Sequence, residues 1–233
     1  MPERKTFTFA RTFREEWHAR AFLRGQLRMQ TIDHFRQLED GVEALRGDVY
    51  EGASGIFQPS GLAHIKIAGR IFLPNALGDA MRFHNTETLG WHVFCLHAIG
   101  ITPEDPEIET VEDAVRAMQL DERCSRLGQH VVYVTDLPEF LTRVSAAIKA
   151  NRLVAKSGPV RYYDETAFHG FFEAHDVPFK KPLRYAYQKE YRIVVKTPES
   201  TPSPFTLDIG DISDIAELTT AEDFNASIEL RPD

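Results

Sequence analysis

The sequence predicts an α+β fold: one domain with mixed, mostly antiparallel sheets and several short helices. Three observations carry that expectation. Segments with the two-residue alternation of a strand outnumber helical stripes. Helices and strands do not alternate regularly, which argues against a doubly wound parallel sheet. The 233 residues are 42% hydrophobic and include 16 Phe, enough for a sizeable core. A single domain over residues 1–233 is expected, because the linker candidate Thr197 to Pro204 leaves too little chain beyond it for a second core.

Thr6 to Phe13 alternates as a first strand, with Phe7, Phe9, Arg11 and Phe13 on its heavy face. Arg14 to Arg24 reads as a helix with Trp17, Ala21 and Phe22 as its apolar stripe, stopped by Gly25. Leu27 to Met29 is a short strand, and Thr31 caps a short helix that turns Ile32, Phe35 and Leu38 inward. The charged, glycine-punctuated stretch from Glu39 to Gly52 reads as a loop, of the kind that often carries function. Leu62 to Leu73 alternates again, with Ile65, Ile67, Ile71 and Leu73 on one face and His64, Lys66 and Arg70 on the other. Further strands are expected at Trp91 to His97, Gln129 to Thr135 and Val160 to Asp164, with helices at Val111 to Leu120 and Leu137 to Asn151. Glu165 to Pro182 reads as a connection, Tyr185 to Val195 as one strand, and short strands near Phe205, Asp214 and Ser227 close the chain.

The net charge of −8 does not suit non-specific binding to phosphate backbones, which needs clustered positive charge. Locally, Arg11, Arg14, Arg20, Arg24, Arg28 and Arg36 make the first forty residues basic: either a solvated helix surface or an anion site. No apolar run crosses a membrane and no signal region opens the chain, so a cytoplasmic protein without membrane partners is expected. The nine His lack metalloprotease or zinc-knuckle spacing, and no metal is expected. Glycine-rich phosphate loops are absent, and mid-strand Cys95 reads as a small hydrophobe.

Chemistry is left to Gln188-x-Glu190-x-Arg192. On one strand these side chains share a face, so an amide, a carboxylate and a guanidinium line up two residues apart. A carboxylate so placed can act as a base or stabilise a cationic transition state. Loss of nicotinamide from NAD, which leaves an oxocarbenium-like ribose, is a suitable reaction. The plain alternative is a solvated strand face with an internal salt bridge. Arg11, a charge on an aromatic face, likewise reads as a structural ion pair or as a grip on a ligand phosphate.

Several segments carry a resemblance. Leu27-Arg-Met-Gln-Thr-Ile-Asp-His-Phe-Arg-Gln-Leu-Glu-Asp, Arg46-Gly-Asp48-Val-Tyr-Glu51-Gly, Phe179-Lys-Lys and Tyr185-Ala-Tyr-Gln-Lys-Glu-Tyr-Arg192 together resemble an uncharacterised, prophage- or defence-associated bacterial family. More distantly, an early strand with Arg11, Thr31 in the middle and the late Gln188-x-Glu190 are similar to ADP-ribosyltransferases. That resemblance implies a toxin or phage-defence effector with NAD as co-substrate and a protein or nucleic-acid acceptor. Glu190 would be the catalytic glutamate and Gln188 the acceptor-orienting residue. Arg11, Arg28, Thr31 and Arg192 would bind the nucleotide. The Ser-Thr-Ser triplet of those enzymes is missing. Arg46, Asp48, Glu51 and Tyr187 form a further candidate site. Two other functions stay open: a metal-dependent nuclease using Asp48, Glu51, Asp164 and Glu190, and a non-enzymatic ligand-sensing or protein-binding module that uses the loop from Glu39 to Glu51.

Overall fold

The computed structural model describes residues 5–38, 47–74, 78–101, 105, 108–197 and 203–230. The order opens with β1 (Lys5–Phe13), α1 (Glu16–Leu23), β2 (Gln26–Thr31) and α2 (Ile32–Gln37). It continues with β3 (Ala53–Phe57), β4 (Ile65–Ile67), β5 (Arg70–Phe72), β6 (Met81–His84), α3 (Thr86–Leu89) and β7 (His92–Ile101). Then come α4 (Val111–Met118), α5 (Glu122–Ser125), β8 (His130–Val134) and α6 (Leu137–Ala150). The last part holds β9 (Val154–Pro159), β10 (Arg161–Tyr163), β11 (Gly170–Phe171), β12 (Lys180–Pro182), β13 (Glu190–Lys196), β14 (Phe205–Asp208), β15 (Ala216–Thr220) and α7 (Ala221–Ala226). The fold is α+β, as expected. Among the described residues no helix is long and apolar enough to cross a membrane.

An antiparallel sheet of eight strands organises the molecule: β14-β2-β7-β1-β8-β15 in order, with β13 against β7 and β9 against β13. Its centre is the long, apolar β7, whose residues are nearly all buried. One edge of β7 pairs with β13 from His92 to His97. The opposite edge is shared. β2 takes it at His92 and Val93, and β1 takes it from His97 onward. Phe94, Cys95 and Leu96 therefore have no strand partner on that edge, because β1 leaves to pair with β8 through Arg11–Phe13. This split in the sheet opens a cavity.

Helices α1 and α6 cover one sheet face. Beneath them Phe9, Phe22, Phe94, Leu96, Phe140, Ile193 and Val195 form the main core. Phe22 meets Phe94 at 5.4 Å between ring centroids, and Phe9 meets Phe140 edge-on at 6.3 Å. Such edge and tilted contacts suit the aromatic quadrupole. At the end of α1, Gly25 adopts φ +81°, and a side chain there would lie 1.9 Å from the Gly210 carbonyl oxygen. Only glycine permits this turn into β2.

Four expectations need correction. A bulge between Thr6 and Thr8 moves Phe7 off the heavy face of β1 and leaves it exposed. Leu62 to Leu73 is no single strand: Ala68 and Gly69, both at positive φ, fold it into the β4–β5 hairpin. A two-residue turn with two positive φ angles matches the twist of a hairpin. Ile71 consequently lies opposite Lys66 rather than beside Ile67. The strand expected over Tyr185 to Val195 begins only at Glu190. Leu183–Gln188 is a 3-10 turn, ended by Lys189 in the left-handed region at φ 41°. Near the C-terminus, the Thr220 hydroxyl accepts from the Asp223 N–H and starts α7, and Ser227 to Leu230 is not a strand.

Candidate functional site

The cavity of about 530 Å³ occupies the split between β1 and β2. Its floor carries Glu190, Arg192, Gln188, Lys181, Glu51, Cys95 and His97. Aromatic walls come from Phe13, Phe35 and Phe94, and the rim holds Arg11, Arg14, Arg28, Trp17, His18 and His34. The late carboxylate and the early arginines thus face one hollow of ligand size.

Pairing explains the floor. Glu190 is directly opposite His97, and Arg192 opposite Cys95, so all four lie on the sheet face away from α1 and α6. Lys181, from β12, reaches them across that face. Its ammonium donates to Gln188 Oε1 at 2.6 Å and to Glu190 Oε1 at 2.5 Å. Arg192 Nε donates to Glu190 Oε2 at 2.7 Å. Its two terminal nitrogens form a fork onto Glu51, at 2.6 and 2.9 Å, and Nη1 also donates to the Pro178 carbonyl at 2.8 Å. Bidentate arginine–carboxylate pairs of this kind are strong and directional. Two cations and two carboxylates balance in a buried block.

The electrostatics follow. Burial alone would push Glu190 up, but Arg192 and Lys181 outweigh it and hold the carboxyl well below the usual carboxylate range. Lys181 and Arg192 are raised in turn: burial opposes their charge, and Glu190 more than restores it. Burial, then Glu190, pushes the Cys95 thiol up to about 12, so it stays neutral near physiological pH. Burial lowers His97, whose Nδ1 lies 2.9 Å from the Gln188 carbonyl oxygen.

Arg11 reaches the cavity from β1. Its guanidinium lies 4.0 Å from the Phe94 ring centroid and donates to the Cys95 carbonyl, one of the groups left without a ladder partner. Arg28 lines the rim from β2 with its side chain exposed.

The other candidates lie elsewhere. Thr31 is buried, and its hydroxyl caps α2 by accepting from the His34 N–H at 3.1 Å. Thr31→Ala is expected to cost about 1 kcal/mol, the usual worth of such a cap. A thermal melt unchanged from wild type would contradict that role. Tyr187 borders a separate small hollow, where Arg123 lies 3.7 Å over its ring. Asp48 is buried beside Glu51 but does not line the cavity. The Asp164 carboxylate caps its own turn, accepting from the Thr166 and Ala167 N–H groups. Arg46, Asp40 and Glu43 lie outside the described residues. The nuclease quartet does not assemble as drawn: Glu51 and Glu190 are both tied to Arg192, and Asp164 is committed to its turn. Among the described residues no group of three or more His, Cys, Asp or Glu is placed to hold a metal ion.

Lys181, Trp17 and His97 are not among the site residues the sequence suggests, whereas Arg14 belongs to its candidate anion cluster. Nothing local separates Lys181 from its neighbour Lys180; only the parallel pairing of β12 with β10 turns one inward. Trp17 carried a misleading signal. It was expected in the buried stripe of α1, yet the buried residues there are Ala19 and Phe22, and Trp17 is 61% exposed. Comparison with models of protein families, with curated proteins and with solved structures finds no match.

Proposed function

We propose that the cavity binds NAD and that Glu190 stabilises an oxocarbenium-like ribosyl group in an ADP-ribosyltransferase-type reaction. The observation that carries this reading is that Glu190, ionised and clamped by two cations, shares one cavity with Arg11, Arg14 and Arg28. The glycosidic bond breaks with its electron pair leaving on nicotinamide. The ribose C1′ then takes a lone pair from a protein or nucleic-acid acceptor, which loses a proton. A carboxylate held this acidic is a poor base near neutrality, so its contribution is electrostatic. Its geometry is fixed before the substrate arrives, because Lys181 and Arg192 each hold one oxygen. Gln188 contributes by holding Lys181.

The test is nicotinamide release from NAD. Glu190→Gln keeps the shape and removes the charge, and is expected to slow release about a hundredfold. Circular dichroism and AMP binding serve as folding controls. Equal rates in a folded variant, or no release by the wild type, would sink the ribosyl chemistry.

A further inference from the structure

Trp17 is an indole left in water on a helix whose apolar side is already buried. An indole exposed at a cavity mouth offers apolar area that a ligand ring can cover. It sits on the cavity rim in the first turn of α1, and His18 packs against it at 3.5 Å between centroids, which sets its tilt. Arg14 and Arg28 line the same cavity. Among the described residues neither guanidinium makes a side-chain hydrogen bond or ion pair. Glu15 shares the rim. In a chain of net charge −8, unpaired arginines at a cavity mouth counter the repulsion an anion would otherwise meet. A flat ring and two cations lining one cavity are the chemistry that recognises a heteroaromatic base joined to phosphate.

We propose that Trp17 is the stacking platform for the base of a nucleotide whose phosphate is gripped by Arg14 and Arg28. The platform depends on the cavity being the ligand site, as the NAD reading does, and is independent of chemistry at Glu190. It ranks ligands by their ring: a mononucleotide binds, and the same sugar phosphate without a base binds more weakly.

Tryptophan emission reads this directly. The chain has two Trp, and Trp91→Phe leaves Trp17 as the reporter. That background is mild, since the Trp91 indole N–H is buried with no partner among the described residues and Phe removes it. AMP is expected to quench the emission, and ribose 5-phosphate to bind without quenching. Without the reporter substitution, Trp17→Ala weakens AMP about tenfold by calorimetry and leaves ribose 5-phosphate unchanged. Trp17→Phe restores most of the loss, and Arg28→Gln weakens both ligands. An AMP affinity equal in wild type and Trp17→Ala, or no AMP binding at all, overturns the platform. AMP stacking on Trp17 in a protein that never releases nicotinamide supports the platform and removes only the ribosyl step.

Discussion

Arg192→Met is expected to lower stability by about 3–5 kcal/mol at neutral pH, enough to drop the melting temperature by about 6–20 °C. The side chain is 3% exposed and is the common partner of Glu51 and Glu190. Methionine fills much the same volume, so little of the loss comes from packing. What it leaves is two buried carboxylates and only Lys181 to answer them. A buried ion pair adds little over an apolar substitute, whereas breaking one strands a charge in a poorly polarisable medium. The pH dependence has a definite sign. Glu190 is depressed in the fold from its ordinary 4.5, so its stabilisation is present above that pH and fades as the pH falls further. Wild type loses that contribution in acid, and the variant has already lost it. The gap between the two melting temperatures should therefore narrow below about pH 4.5. Adding Glu51→Gln to Arg192→Met should recover part of the loss. A deficit under about 1 kcal/mol, or a gap that widens in acid, would show that the network is not what holds Glu190.

In the proposed reaction the same network would act on the ribosyl cation. In water a carboxylate beside a developing positive charge must reorient solvent. In the cavity floor the orientation is already set by Lys181 and Arg192. Fixed dipoles and charges of this kind are where enzymes gain most over solution. The same clamps limit the group, because a carboxyl so acidic cannot hold a proton near neutrality. A general-base role for Glu190 is thereby disfavoured, and in the proposed reaction its contribution would be electrostatic.

Much of this was legible in the sequence. Two-residue alternation locates β1, β7 and β8, and helical spacing locates α4 and α6. The Glu190-x-Arg192 spacing put both side chains on one face, and the structure has them hydrogen-bonded to each other. Gln188 reached the same place for a different reason. The strand stops short of it, and a left-handed Lys189 and the Lys181 ammonium bring its amide in. Periodicity could not foresee that, because it assumes the backbone stays extended. Nor could it separate Lys181 from Lys180, or Trp17 from a core residue. Those distinctions depend on which elements lie on top, and composition along one strand or helix holds no record of its neighbours.

Asp48→Asn is expected to make the protein more stable at pH 7.5, by up to about 3 kcal/mol, and to change little at pH 4. Asp48 is 1% exposed. Its Oδ1 accepts from the Tyr50 N–H at 3.0 Å and from Arg184 at 3.2 Å, while Oδ2 is buried and has no partner among the described residues. Burial first, and then the Glu51 charge, push its pKa up to about 6; Lys181 and Arg184 offset only part of this. A carboxyl that holds its proton more tightly folded than unfolded stabilises the fold fully below its ordinary 3.8, and that contribution is lost as the pH rises through about 6. The gap between 3.8 and about 6, at roughly 1.36 kcal/mol per pH unit, gives the 3 kcal/mol. Asparagine keeps the acceptor for Tyr50 and replaces a charge that burial and Glu51 disfavour with a neutral amide, which costs less to bury. Arg184 retains Glu165 as its partner. Thermal melts of wild type and variant at the two pH values decide the matter. A variant less stable than wild type at pH 7.5, or one displaced equally at both, would mean that Asp48 is not a strained carboxylate. The functional consequence lies next door. With Asp48 neutral, Lys181 and Arg192 face only Glu51 and Glu190 and the block is balanced. With it ionised, a third anion presses on Glu51, the residue that anchors Arg192 and through it Glu190.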